Sequence, residues 1–189
     1  MKQAKVLGKA EVSRVVAVID AGNHSERNKV AFYLTHLSGM RVKEVAALTV
    51  GDIFDENGVV RNQVALESSQ TKGSKARSVM LNKKLQKLLT IYYAKLPKQD
   101  LDFPLIYSQK SYKPFSPNSL CQVFCRIYIA AGVKGGTSHS GRRTFITRLA
   151  TKGVGVKIIM ELAGHKHLST TQRYIEVNDQ MLKEAVELV

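Results

Sequence analysis

Apolar residues recur every three or four positions over most of the chain, a spacing typical of helices that bury one face. Within residues 26–38, for example, Val30, Leu34 and Leu37 share one stripe, and Gly39 ends the pattern. The same spacing predicts further helices, which we place at residues 9–20, 41–48, 83–95, 116–131, 138–152, 156–163 and 179–188.

Between residues 52 and 81 the apolar positions alternate instead, as they do in half-buried strands. A turn at residues 55–58 precedes two predicted strands, at residues 60–69 and 76–81, which a basic turn at residues 70–75 separates. The sequence therefore predicts an α+β fold that is mostly helical and carries a small antiparallel β-sheet on one edge.

The charge of the chain indicates a polyanionic partner. Its 189 residues fit one domain, and 29 Lys and Arg against 15 Asp and Glu give a formal net charge of +14. These charges are spread along the chain, which favours a folded basic surface and places nucleic acid first among its partners. No apolar run approaches the ~20 residues that span a bilayer, so we expect no membrane partner. The apolar patch near the start is too short for a signal peptide, and we expect a cytoplasmic protein.

Two short stretches place arginines where helices are predicted to begin. In residues 137–143, Ser138 is the predicted N-cap of a helix, and His139 and Arg142 lie three positions apart on one face of it. The amide groups of the first turn have no partners within a helix, so this arrangement suits a phosphate. Arg41 follows a glycine break, and Glu44 lies three positions later. Taken singly, the first stretch is more often a solvated basic helix start and the second a surface ion pair.

Lysine and tyrosine supply the remaining candidates. Lys72 lies in the predicted hairpin turn, where an ammonium group can reach a phosphate oxygen, although such turns are often merely solvated. We predict that the nearby Lys75 and Arg77, and Arg143 of the later helix, contact DNA. Tyr174 follows His165 by nine positions, yet a single tyrosine is more often a packing residue than a nucleophile.

Taken together, these pieces resemble the catalytic domain of the tyrosine recombinases, the phage integrase family. The elements of resemblance, in chain order, are GMRVKE at residues 39–44, TKG at 71–73, HSGR at 139–142, GH at 164–165, and Tyr174. The resemblance extends from about residue 9 to residue 177, and the order and spacing of five separate elements make chance agreement improbable.

The resemblance implies a nucleophile, Tyr174, that attacks a DNA phosphodiester and leaves a 3′-phosphotyrosyl bond. It implies that Arg41 and Arg142 clamp the non-bridging oxygens, where preorganised donors stabilise the transition state. By the same resemblance, Lys72 protonates the leaving 5′-oxygen and His139 acts as acid or base near the tyrosine hydroxyl.

The resemblance also assigns supporting roles to two further residues. His165 would donate a hydrogen bond to a phosphate oxygen, and Glu44 would hold His139 or Arg41 in place. We expect Gly141, in the first turn of its helix, to cost about 1 kcal/mol against Ala and to leave Arg142 less firmly placed.

The implied partner is double-stranded DNA, on which the chain would assemble as a homo-oligomer, a tetramer, without a metal or nucleotide cofactor. We expect residues 1–189 to form a single catalytic domain with a tail helix at about 178–189 and no N-terminal core-binding domain.

Three alternatives stay open. Type IB topoisomerases share this chemistry but reseal the same strand, and a non-catalytic accessory DNA-binding module would keep the fold alone. A metal site at His165 and His167 is a poor third option, because matching carboxylate ligands are absent nearby in the sequence.

Overall fold

The structure, a computed structural model, describes residues 3–67, 76–175 and 179–187. Its helices are α1 (Lys9–Ala21), α2 (Ser25–Ser38), α3 (Val42–Ala46), α4 (Val50–Ile53), α5 (Lys83–Tyr93), α6 (Pro117–Ala130), α7 (Ser140–Thr151), α8 (Val156–Ala163), α9 (Leu168–Gln172) and α10 (Asp179–Val186). Most of them match the predicted helices to within one or two residues, and the helices from α1 to α8 bury apolar residues of their own.

Two strands, β1 (Gln63–Leu66) and β2 (Arg77–Met80), pair in antiparallel register, with Leu66 opposite Arg77 at the turn end. The α+β class with a small antiparallel sheet is therefore confirmed. The first strand is shorter than predicted, because Val60 forms only an isolated bridge with Phe54. Residues 68 and 69 of that predicted strand and the predicted turn at 70–75 lie outside the described residues.

Within the described residues, the buried apolar side chains form two clusters. The larger one gathers buried residues from α1 to α6 and from both strands, including Phe32, Phe54 and Phe124. The smaller one lies between α7 and α8, and Tyr174 packs against it. The second cluster thus fixes the segment that carries the candidate nucleophile relative to α7 and α8.

Two short helices were not predicted, and their causes are local. Thr49 caps α4 because its hydroxyl accepts from the N–H of Asp52 while the Asp52 carboxylate accepts from the N–H of Thr49. Because of this reciprocal cap, the residues around Asp52 are helical, whereas the alternating pattern predicts an extended backbone there. The helix predicted at 41–48 is shorter in the structure, because α3 stops at Ala46, ahead of the Thr49 cap that begins α4. Helix α9 lies in a stretch of small and polar residues with no apolar period.

The prediction that Ser138 caps α7 is wrong. The N-cap is His139, and the preceding turn closes on itself because Thr137 Oγ1 accepts from the N–H of His139 and Ser140 Oγ accepts from the N–H of Thr137. The backbone of Gly141 hydrogen-bonds the Tyr128 hydroxyl. The N–H groups of His139 and Ser140 thus already have partners within the protein, and the phosphate contact expected at this helix start stays a prediction.

Gly141 has a packing role that was not foreseen. A Cβ atom there would overlap Thr35 Oγ1 and would lie 3.0 Å from Thr35 Cβ, so the glycine allows α7 to approach α2 closely. The expectation that Gly141 leaves Arg142 loosely placed is wrong, because Arg142 is buried and bonded to two backbone carbonyls.

No helix in the part of the chain that the structure describes is both long and apolar enough to cross a membrane.

Replacing Gly141 with Ala tests the close approach of α7 to α2. Ala improves helix propensity by about 1 kcal/mol, but overpacking against Thr35 costs about 1–3 kcal/mol. We expect Gly141→Ala to lower the free energy of unfolding in urea by about 1 kcal/mol, whereas Gly155→Ala, where a Cβ meets open space, changes it by no more than about 0.5 kcal/mol. A more stable Gly141→Ala protein would contradict this packing role.

Candidate active site

The end of α8 brings three arginines together. Its last carbonyl groups, at residues 162, 163 and 164, accept hydrogen bonds from Arg77 at 3.1 Å, Arg142 at 2.6 Å and Arg41 at 3.1 Å, respectively. These carbonyls lack partners within the helix and form the negative end of its dipole. One helix end thus fixes cations that arrive from three different elements.

Glu44 is a carboxylate that two of these arginines, Arg41 and Arg77, share. Its side chain is 1% exposed and receives Arg41 Nη1 and Arg77 Nη2 at 2.7 Å each. Burial favours raising the pKa of Glu44, but the hydrogen bonds and charges of Arg77 and Arg41 outweigh it and lower the pKa below its usual range. Glu44 is therefore ionised at neutral pH.

Arg142 is held from both sides. Besides the end of α8, it donates at 2.5 Å to the carbonyl of Gly39, which ends α2 in the left-handed conformation. Burial lowers the pKa of Arg142 to about 9, together with the charges of Arg41 and Arg77. The guanidinium stays positive at pH 7, so it offers a charge that an anion can neutralise.

The nine-residue spacing between His165 and Tyr174 places their rings against each other. The centroids lie 5.7 Å apart and the planes meet at 23°, because α9 folds the segment back. Thr171, fully buried on α9, lies 2.9 Å from His165 Nδ1 and fixes the ring. Burial lowers the pKa of His165 to about 4, together with the positive charges of Arg142, Arg41 and Arg77, so this imidazole is neutral at pH 7.

Two open clefts meet this group of residues. A cleft of about 740 Å³ is lined by Arg41, Arg77 and His165, among others. A second cleft, of about 470 Å³, is lined by His139, Arg142, Arg143, Thr170, Arg173 and Tyr174, with Gln3 and Ala4. Solvent, and therefore a ligand, reaches the candidate residues from both clefts.

Tyr174 is half-buried, and the Arg143 guanidinium lies 5.7 Å from the centre of its ring. This distance is within the range of a cation–π contact. His139 is exposed at the start of α7 and lines the same cleft as Tyr174. The tyrosine is thus accessible and lies among cations.

The structure brings together five of the six predicted catalytic residues, namely Arg41, His139, Arg142, His165 and Tyr174, around the end of α8 and the two clefts. Glu44 lies beneath them, bonded to Arg41 as expected. Lys72 and Lys75 lie outside the described residues. Arg143 lines a cleft, so its predicted DNA contact stays a prediction.

Sequence reasoning missed the role of Thr171, since a buried threonine six residues after a histidine carries no signal until α9 is known. It also missed that Arg77 bonds Glu44, because the two lie 33 positions apart in the chain.

The electrostatics of the site favour an anion. Three guanidinium groups meet at the end of α8, only one buried carboxylate, bonded to two of them, offsets their charge, and the neighbouring imidazole is neutral. Fixed guanidinium donors of this kind suit an anionic ligand, and the candidate nucleophile Tyr174 lies beside them.

Comparison with known proteins places the chain in a family. The model of the phage integrase family matches residues 5–181. The chain is 32% identical over 186 residues to the tyrosine recombinase XerA of Pyrococcus furiosus, covering 97% of this chain and 61% of that protein. It is 30% identical over 190 residues to transposase A from transposon Tn554 of Staphylococcus aureus, covering 96% of this chain and 51% of that protein. The chain thus spans about half to three fifths of these relatives.

Solved structures show the same fold. The crystal structure of XerA recombinase matches 100% of this chain and 66% of its own, with a TM-score of 0.78 and 23% identity. The Tn1549 transposon integrase in complex with circular intermediate DNA matches 100% of this chain and 68% of its own, with a TM-score of 0.76 and 19% identity.

The ionisation of His165 gives a direct test of the site's electrostatics. We expect its ring resonances, identified by their loss in His165→Gln, to titrate by NMR near pH 4. The unfolded chain takes up this proton near pH 6.5, whereas the folded protein takes it up only near pH 4. Protonation therefore favours the unfolded chain, and the free energy of unfolding decreases as pH falls from about 6.5 to about 4. A midpoint at or above 6.5 would contradict the described environment.

Proposed function

Because the chain belongs to the phage integrase family, we propose that it forms the catalytic domain of a site-specific DNA recombinase, which cleaves and rejoins DNA through a 3′-phosphotyrosyl intermediate. The observation that carries this proposal is the stacking of Tyr174 on His165, within a site where Arg41 and Arg142 are already fixed by the end of α8.

Cleavage proceeds by in-line displacement at phosphorus. The Tyr174 hydroxyl oxygen forms a bond to the phosphorus atom as the bond to the 5′-oxygen breaks, and the tyrosine proton passes to a base. His139 lines the cleft beside Tyr174 and is the proposed acceptor of that proton. Lys72 is the proposed donor to the leaving 5′-oxygen, an assignment that rests on the family resemblance.

Arg41 and Arg142 stabilise the charge that develops on the non-bridging oxygens. Both guanidinium groups are bonded to backbone carbonyls before DNA arrives, so they need little reorganisation during the reaction. His165, neutral and bonded through Nδ1 to Thr171, has its second nitrogen, Nε2, available to donate to a phosphate oxygen.

Rejoining reverses the same steps. The phosphotyrosyl bond retains the energy of the broken diester, so a 5′-hydroxyl attacks the phosphorus, Tyr174 leaves, and no ATP is needed. Attack by the hydroxyl of another strand gives strand exchange, whereas attack by the original strand gives relaxation of supercoils. Relaxation without recombinant products would favour the topoisomerase-like alternative.

The proposed partner is double-stranded DNA, on which the protein assembles as a homo-oligomer, a tetramer. The net charge of +14 supports a polyanionic partner. Among proteins of this fold, the XerH recombinase was solved bound to its difH substrate and lambda integrase as a dimer bound to a core site. An inactive DNA-binding module is disfavoured, because Arg41, Arg142, His165 and Tyr174 occupy one site.

A nicked suicide duplex tests the proposed chemistry. After cleavage a short 5′ fragment diffuses away, so rejoining fails and a covalent adduct accumulates. We expect the adduct to map to Tyr174 and to fall at least 1000-fold in Tyr174→Phe, because the variant lacks the nucleophilic oxygen.

The matched control is Tyr112→Phe, which removes the hydroxyl of an exposed tyrosine that stacks on Tyr107. This control should form adduct at the wild-type rate. An adduct at any residue other than Tyr174, or its persistence in Tyr174→Phe, would contradict the assignment.

The last helix tests the proposed assembly. Leu182 and Val186 are exposed, at 56% and 69%, and lie four positions apart on α10. We expect deletion of residues 178–189, or Leu182→Ser with Val186→Ser, to weaken assembly on DNA at least 10-fold in sedimentation experiments, while monomer binding to a half-site changes less than 2-fold. Lys183→Ser is the control on the same helix, and unchanged assembly after the deletion would contradict this role.

A further inference from the structure

We propose that Arg77 is a positioning residue of this site, which holds Glu44 and, through it, Arg41, and that it does not bind DNA phosphate. This inference deepens the proposed function and rests on it. It replaces the direct DNA contact that the sequence predicts for Arg77, a basic residue beside a hairpin turn.

All three nitrogens of the Arg77 guanidinium donate within the protein. Nε and Nη2 bind the two oxygens of Glu44 at 3.2 and 2.7 Å, and Nη1 binds the carbonyl of Leu162 at 3.1 Å. The side chain is only 10% exposed. Arginine binds phosphate most firmly through a fork of two nitrogens, and Glu44 already occupies the Nε and Nη2 fork of Arg77.

Arg77 supplies half of the hydrogen bonds to a buried carboxylate. Glu44 Oε1 also receives Arg41 Nη1 at 2.7 Å, and Oε2 receives the backbone N–H of Arg41 at 2.7 Å. Without Arg77, Glu44 keeps bonds to Arg41 alone and is free to turn toward it or to take up a proton. The guanidinium of Arg41 then loses its fixed direction.

The chain also leaves room for this arginine. Gly164 ends α8 with φ of 60°, and a Cβ atom added at this position would overlap the Arg77 side chain. Gly164 directly precedes His165 and gives its carbonyl to Arg41. The backbone around the site is therefore shaped to admit Arg77 against the end of α8.

Arg77 also connects the hairpin to the site. It begins β2, pairs with Leu66 of β1, and follows Lys72 by five residues. Through Glu44 and the carbonyl of Leu162, the base of the hairpin is bonded to α3 and α8. A positioning role at this junction affects both Arg41 and the strand that leads back to Lys72.

The experiment separates rate from affinity. We measure adduct formation at saturating suicide DNA, and DNA affinity at several salt concentrations, for Arg77→Met and Arg77→Lys. The matched control is Arg61→Met, which removes the same charge from an exposed residue before β1. If Arg77 positions Glu44, the adduct rate at saturation falls at least 10-fold in Arg77→Met, while the dissociation constant changes less than 2-fold.

The slope of log affinity against log salt distinguishes the two roles. A lost phosphate contact lowers that slope by about 1, and saturating DNA restores the rate. We expect an unchanged slope and a rate that saturation does not restore. Arg77→Lys keeps a cation but cannot bridge both oxygens of Glu44, so it should restore at most part of the rate. A reduced slope, or a wild-type rate in either variant, would overturn the proposal.

A double-mutant cycle with Glu44→Gln tests whether Arg77 acts through the carboxylate. If it does, the double variant Arg77→Met/Glu44→Gln is no more than about 3-fold slower than the slower single variant, whereas independent effects multiply. Multiplicative effects would overturn the proposal.

The same cycle measured by urea unfolding needs no catalysis. If the wild-type protein forms no adduct, the proposed function fails, yet coupling between Arg77 and Glu44 in stability still decides whether the ion pair positions this site. Additive stability effects would overturn the proposal. If Arg77→Met fails to fold, the adduct rate, the DNA affinity and the free energy of unfolding are compared for Arg77→Lys, which retains the charge.

Discussion

The candidate site depends on one interaction, the capture of three arginines by the free carbonyls at the end of α8. Leu162, Ala163 and Gly164 receive guanidinium groups that originate on β2, on α7 and before α3. A helix end must find partners for its last carbonyls, and its dipole favours cations there. Because His165 follows directly, the same helix end also places the imidazole. Elements distant in the chain thus converge because one helix end accepts hydrogen bonds from all three arginines.

A site built from buried like charges has an energetic cost, which the fold reduces in two ways. Glu44 is shared between two of the arginines, and the carbonyls accept from all three. What remains is a positive excess, which adds to the effect of burial in lowering the pKa of His165 and keeping its ring neutral. In the proposed function a DNA phosphate would complete the charge balance, since its negative charge offsets the arginines.

The sequence was most informative where chemistry depends on residue type and spacing. Arg41, Arg142, His165 and Tyr174 were identified because the order and spacing of their motifs resemble one family, and apolar periodicity located most helices. Contacts made across long stretches of chain were not accessible, as the bond between Arg77 and Glu44 and the packing of Gly141 against Thr35 show. The start of α7 was misplaced because side-chain hydroxyls of Thr137 and Ser140 close a turn ahead of the helix, an outcome that propensity alone does not distinguish from capping.

In the proposed mechanism, one DNA phosphate is held between the arginines at the end of α8 while Tyr174 attacks it. A crystal structure of the covalent adduct, trapped on a suicide duplex, tests this arrangement. We expect a phosphotyrosyl group at Tyr174 whose non-bridging oxygens lie about 3 Å from the guanidinium nitrogens of Arg41 and Arg142. A phosphate bonded elsewhere, or one at Tyr174 that neither arginine contacts, would contradict it.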